Sequence, residues 1–200
     1  MPFRFPTPAL PCPSRRSALA LFVALVLAAC WLAVAAPARA DTIPVRTAEL
    51  RIEEGEVLLN AEFEFSLNPT LEEALEKGIP LYFVLDFELK RGRWYWLDEK
   101  VAQTALVYRV SYNALTRQYR VASGLLTQMF NSLAEVERFI GRVTSRPVAS
   151  ADALAIGAKY DAAVRLRLDV NQLPKPFQVD ALASRDWTLA SDWQRWSFTP

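Results

Sequence analysis

The chain has no histidine, and its two cysteines, Cys12 and Cys30, both fall within the first forty residues. From residue 41 onward there is neither a thiol nor an imidazole. That stretch therefore cannot form a disulfide, present a thiolate nucleophile or hold a metal through cysteine. With histidine go the commonest general base and the commonest metal ligand. Ser-His-Asp and Cys-His catalysis are closed by composition. A Ser-x-x-Lys nucleophile is missing too, because none of Lys77, Lys90, Lys100, Lys159 and Lys175 has a serine three residues before it. Glycine is scarce: the 6 residues are scattered singly, and no glycine-rich phosphate loop can be read. No Asp-x-Asp-x-Asp-Gly calcium loop occurs. Taking the four arginines of residues 1–40 from the 23 basic residues leaves 19 against 22 acidic ones, about three net negative charges on residues 41–200. Nucleic acid, which needs a clearly basic face, is excluded as an expected partner.

Acidic residues and lysine are also absent from residues 1–40, and there the absence carries information. Arg15 and Arg16 precede an uncharged run, residues 17–36, dominated by Leu, Ala and Val. Ala38-Arg39-Ala40 supplies the small-x-small pattern that signal peptidase reads, and Asp41 begins polar sequence. Residues 1–40 thus read as a signal sequence, and residues 41–200 as one exported, periplasmic domain. Two alternatives keep the domain on the same side of the membrane. Leu27-Ala28-Ala29-Cys30 fits a lipobox in which Cys30 would carry lipid, although residues 31–36 stay apolar after it. The run is also long enough to remain as an uncleaved anchor, with Arg15 and Arg16 on the cytoplasmic side.

Period-two alternation dominates the exported part. Val57, Leu59, Ala61, Phe63, Phe65 and Leu67 share one strand face, as do Leu81, Phe83, Leu85, Phe87 and Leu89. Tyr160, Ala162, Val164, Leu166, Leu168 and Val170 form a third such face. One wet face per strand points to antiparallel sheets. Weaker strands are expected over residues 45–52, 93–97, 105–112, 117–122 and 193–198, with turns at Gly55, at Gly92 and over 113–116. Thr70-Leu71-Glu72-Glu73 and Ser132-Leu133-Ala134-Glu135 are capping boxes opening two helices, the first closed by Gly78 and the second running to about Arg146-Pro147. Residues 149–158 read as a small-residue linker and residues 173–176 as a stiff connection. The expected fold is mostly β, an antiparallel β-sandwich with two short helical insertions; the alternative is an α+β fold with a single curved sheet.

Chemistry is harder to find. Carboxylate pairs remain, since two acids can cut a glycosidic bond without histidine. Asp86 and Glu88 share a face, as do Glu62 and Glu64. Alternating acids are ordinary on a wet strand face, however, and Arg165 and Arg167 are placed to pair with them across strands. The aromatic clusters are better candidates, as core or as a partner platform. Trp94, Trp96, Trp193 and Trp196, with Arg91, Arg93 and Arg195 as polar anchors, are the candidate partner-binding residues.

Several stretches together resemble one family: Leu67-Asn68-Pro69-Thr70-Leu71-Glu72-Glu73-Ala74-Leu75, Gly78-Ile79-Pro80-Leu81-Tyr82-Phe83-Val84, Arg93-Trp94-Tyr95-Trp96-Leu97-Asp98-Glu99-Lys100, Ser111-Tyr112-Asn113-Ala114-Leu115-Thr116-Arg117-Gln118-Tyr119-Arg120 and Leu173-Pro174-Lys175-Pro176-Phe177-Gln178. They are similar to the proteobacterial envelope proteins of domain-of-unknown-function family 4390. The resemblance implies an envelope location and brings no catalytic residue. Members are often encoded beside a sensor-kinase pair, which points to a signalling accessory. The expected function is a non-catalytic binding domain of the envelope, with a membrane protein as partner and no cofactor. The rivals are a carboxylate-dependent cell-wall hydrolase and a carrier of an apolar ligand. Intact mass of the protein recovered from the envelope is expected to match a chain starting at Asp41; the mass of a lipidated Cys30 chain, or of one retaining Arg15 and Arg16, would replace cleavage with the corresponding anchor.

Overall fold

Strand β3, Leu81–Arg91, is the most regular of the alternating runs, and it lies inside the larger of two sheets. The computed structural model describes residues 42–92 and 99–200, the side chains of 180, 182 and 183 excepted. The strands are β1 (Val45–Glu53), β2 (Glu56–Phe63), β3, β4 (Glu99–Asn113), β5 (Gln118–Ser123), β6 (Leu126–Phe130), β7 (Arg142–Ser150), β8 (Tyr160–Leu168) and β9 (Gln194–Phe198). They form a three-stranded sheet in the order β1-β2-β7 and a six-stranded sheet in the order β6-β5-β4-β3-β8-β9. Every pairing between these strands is antiparallel. The fold is thus mostly β with two sheets, and the single curved sheet is set aside.

Alternation decides which faces meet. Leu81, Phe83, Leu85, Phe87 and Leu89 of β3 are buried, and so are Tyr160, Ala162, Val164, Leu166 and Leu168 of β8. They share one core with Val57, Leu59, Ala61 and Phe63 of β2 and with Val143 and Val148 of β7. Contacts between the sheets are direct. The rings of Phe65 and Phe83 meet edge-on at 4.8 Å, and the Thr104 hydroxyl on β4 donates to the Val148 carbonyl on β7 at 3.2 Å.

Among the described residues there are three short α-helices rather than two: α1 (Pro69–Glu76), α2 (Leu133–Gly141) and α3 (Lys175–Ala183). In α1 the N-cap is Asn68, two residues earlier than the Thr70 expected from sequence. The Asn68 side chain accepts from the Leu71 amide at 2.9 Å, and Pro69 takes the first helical position, where no N–H is needed. The helix closes in a Schellman turn: the Gly78 amide donates to the Leu75 carbonyl and the Ile79 amide to that of Ala74. The Ser132 cap of α2 is where the sequence put it, accepting from the Glu135 amide while Glu135 accepts from the Asn131 amide. But α2 stops at Gly141, well before Arg146. A Cβ at Gly141 would lie 2.8 Å from the Phe63 carbonyl oxygen, so the helix end rests its backbone on β2. The chain then turns extended at Arg142 and becomes β7.

Two strands escaped the sequence reading. The alternation of β7 is broken by register shifts against β2, near Asn60 and at Val57/Leu58, so it gives no clean period. Its last residues, 149 and 150, belong to the stretch whose small side chains suggest a linker, and a short 3₁₀ turn, Ala151–Ala153, follows them. β6 is five residues long, almost wholly exposed, and gives no burial pattern to read. Helix α3 follows Pro174 with Pro176 in its first turn; prolines are tolerated there, so the stiff connection is a helix start. The strand expected over 93–97 lies outside the described residues, as does the signal sequence.

Truncating Leu85 or Leu166 to Ala is expected to cost about 2–5 kcal/mol, the range for large-to-small core changes. Gly141→Ala should also lower stability, by about 1–3 kcal/mol, because the added methyl meets backbone rather than a movable side chain. Urea midpoints check all three, and unchanged values would place these residues outside the packed seam.

Candidate functional site

The wet faces of the two sheets hold the acids that a hydrolase would need. Asp86 on β3 faces Arg165 on β8 in the register, and its carboxylate takes both Arg165, at 2.9 Å, and Arg167, at 2.8 Å. The three side chains are 18–30% exposed, so the bonds are only partly screened. Arg165 also stacks on the Trp193 ring, 4.5 Å from its centroid, while its Nε is buried with no hydrogen-bond partner. Glu88 is held by Lys90 two residues along its own strand, at 2.6 Å. Glu62 meets Arg142 across β2 and β7 at 3.2 Å, and Glu64 meets Arg46 at 2.7 Å. Each of the four carboxylates weighed as catalytic acids is thus neutralised by a cation of the sheet it decorates. Among the described residues no three acidic, cysteine or histidine side chains gather as a metal site.

The aromatic and arginine candidates do not gather either. Trp193 and Arg195 share the wet face, Arg195 exposed beside Ala163. Trp196 pairs with Ala162 and packs its half-buried ring against the core together with Phe198. Arg91 ends β3 opposite Tyr160 and Glu99 and is exposed. Arg93, Trp94 and Trp96 lie outside the described residues, as do Ala38, Ala40, Asp41 and Cys30.

A different site emerges where the sheets differ in width. At roughly 4.8 Å per strand, three strands span about 14 Å and six about 29 Å, so the small sheet leaves part of the large one uncovered. Helix α2 fills some of the gap. Its Phe139 meets Phe130 of β6 at 5.2 Å and Tyr108 of β4 edge-on at 6.1 Å. What remains is a pocket of about 190 Å³. Leu106 and Tyr108 of β4, Val121 and Ser123 of β5, and Leu126 and Gln128 of β6 line one side. Phe139 of α2 and Arg142, Val143, Thr144 and Arg146 of β7 line the other.

Local structure aims these groups. Ser145, at φ 47°, is held by its amide donating to Asn60 Oδ1 at 2.8 Å. The extra residue that this bulge puts into β7 sets Arg146 opposite Leu59, a core-facing position of β2. Arg142 is tied to Glu62, whereas Arg146 has no ion-pair partner among the described residues. Burial pushes the Tyr108 phenol above its ordinary value, and the positive charge of Arg146 opposes that shift. Near neutral pH the pocket therefore offers a neutral hydroxyl and an unmatched guanidinium above apolar walls.

The pocket opens beside β6, an edge of the large sheet. The other three edges are guarded. β1 carries Arg46, Glu49, Arg51 and Glu53, β7 carries Pro147 and register shifts, and β9 carries Arg195. β6 has no charge, no proline and no bulge, and Leu126 and Met129 are 71% and 62% exposed. No motif in the sequence announces Tyr108, Leu126, Gln128 or Arg146. The one legible sign is the absence of any charge between Arg120 and Glu135.

Fold and site together define an antiparallel two-sheet domain with one unguarded edge opening on a cationic, apolar-walled pocket. The chain belongs to the family described as "Domain of unknown function (DUF4390)", which matches residues 40–197. No curated protein and no solved structure matches it.

Because the Tyr108 pKa is raised in the fold, its neutral form is favoured there. The stability tied to it is intact below the ordinary value of 10.0 and is lost as pH rises through the raised value. Urea midpoints should fall as pH rises past 10.0, and Tyr108→Phe should flatten that fall. An identical slope in the variant would remove Tyr108 from the buried wall.

Proposed function

We propose that the domain is a non-catalytic binding module of the cell envelope, exported by its N-terminal segment, that engages a partner protein at the outer side of the cytoplasmic membrane. The observation that carries the reading is the contrast between β6 and the three other edges. An edge strand without charge, proline or bulge is a liability unless something pairs with it or covers it.

Two further observations favour binding over the rivals. The carboxylates that a glycoside hydrolase would use are engaged in ion pairs across or along the strands. A general acid in such an enzyme needs a raised pKa and an open approach to the glycosidic oxygen. For an apolar-ligand carrier, a pocket of about 190 Å³ is small, since sites that enclose whole ligands run to about 300–1,000 Å³. It has room for one or two side chains of a partner. The near-neutral charge of residues 41–200 speaks for protein rather than nucleic acid.

Asp86→Asn, Glu88→Gln, Glu62→Gln and Glu64→Gln, introduced singly in the full chain, are expected to leave biological activity nearly intact wherever the fold survives. In a hydrolase the essential member would lose about 10²–10⁴-fold. Complementation of a deletion strain, with circular dichroism melts to confirm folding, separates the two. One folded carboxylate variant that is inactive would replace the binding module with the hydrolase.

A further inference from the structure

Resting on the binding-module reading, we infer that β6 takes up an extended acidic–apolar peptide segment of the partner as a seventh strand, one apolar side chain entering the seam pocket and a neighbouring carboxylate meeting Arg146. The backbone geometry provides the edge. β5 and β6 are joined by the two-residue turn Gly124-Leu125, closed by the pair Ser123↔Leu126. Only the first turn residue, Gly124 at φ 59°, is left-handed, which is the type II′ arrangement. The pair closing such a turn exchanges hydrogen bonds, so Leu126, Gln128 and Phe130 point their N–H and C=O groups at β5. Thr127 and Met129 then turn theirs to the open side. Backbone bonds from an incoming strand would satisfy these groups, and they supply affinity without regard to side chains.

The pocket provides the selectivity. A strand added about 4.8 Å beyond β6 would carry inward side chains level with Leu126 and Gln128, both of which line the pocket. The volume of about 190 Å³ and the walls of Leu106, Val121 and Phe139 suit a leucine- or phenylalanine-sized anchor. Arg146 favours an acid next to it, and a guanidinium can hold a carboxylate through two bonds. Charge also argues against a second copy as the occupant. Paired with itself, β6 would bring no acid to Arg146, because its own sequence, Leu126-Thr127-Gln128-Met129-Phe130, is uncharged.

The test uses the purified full chain and a random-peptide library displayed on phage. Wild type should enrich alternating sequences that place an acid next to Leu, Ile or Phe. The most enriched peptide, labelled with fluorescein, should bind about tenfold more weakly to Arg146→Gln, the loss of one charge-assisted bond. Replacing the peptide's acid by its amide should weaken wild type equally and leave Arg146→Gln unaffected. Met129→Pro, which removes one outward N–H and spares the bonds to β5, should also weaken binding about tenfold without lowering the melting temperature. If that variant unfolds, Thr127→Glu, which places a like charge beside the incoming acidic strand, substitutes for it. Enrichment without acids or alternation, no enrichment at all, or binding indifferent to these variants would overturn the inference. So would a concentration-dependent dimer in sedimentation that the edge variants abolish. If the inference falls while the folded carboxylate variants remain active, the binding module stands with a different surface. An inactive folded carboxylate variant would remove both.

Discussion

The apolar face of β3 is the surface against which the rest of the domain is arranged. Five large side chains, Leu81, Phe83, Leu85, Phe87 and Leu89, stand on one side of a single strand, and all are buried. β4 and β8 pair along its two edges, so their inward rows continue the same surface. With no cysteine or histidine after residue 41, no disulfide or histidine-held metal contributes, and burial of this surface has to supply most of the folding free energy. β2 answers it from the other layer with Val57, Leu59, Ala61 and Phe63.

The mismatch in width between the layers follows from that arrangement and creates the site. Three strands cover the centre of the large sheet, and helix α2 covers part of what they miss. The pocket is what neither reaches. Its groups come from five elements that follow one another in the chain, β4, β5, β6, α2 and β7, and only their packing closes them around one space. Two local irregularities then tune it. The end of α2 presses its Gly141 backbone onto β2, and the bulge at Ser145 re-aims the following residue, Arg146. Neither irregularity helps sheet pairing; both position the wall of the pocket.

The opposite face of the large sheet shows how a cluster of ionisable groups can be structural. Asp86 is shared by Arg165 and Arg167, and Arg165 lies over Trp193. The pairing was legible from alternation: acids on the wet face of one strand and arginines on that of another meet when the strands are neighbours. The stacking on Trp193 was not, because it depends on β9 lying beside β8, a long-range adjacency that no spacing encodes.

The sequence by itself determined the elements with a strong local signal. Strands β2, β3 and β8 alternate cleanly because one face is wet and one is dry, and the cap at Ser132 is set by residues three apart. It also closed histidine- and thiol-dependent chemistry, since absent side chains cannot be supplied by folding. Only the tertiary structure decided where α2 ends, because the chain after Gly141 is taken up by pairing with β2, Arg142 opposite Glu62, eighty residues earlier in the chain. Only it decided that residues 142–150 are a strand, since their bulged pairing with β2 erases the period that would reveal it. And only it brought Arg146 to Tyr108 beside the open edge of β6. The elements carrying those groups are neighbours by packing, and packing leaves no period in the chain to be read.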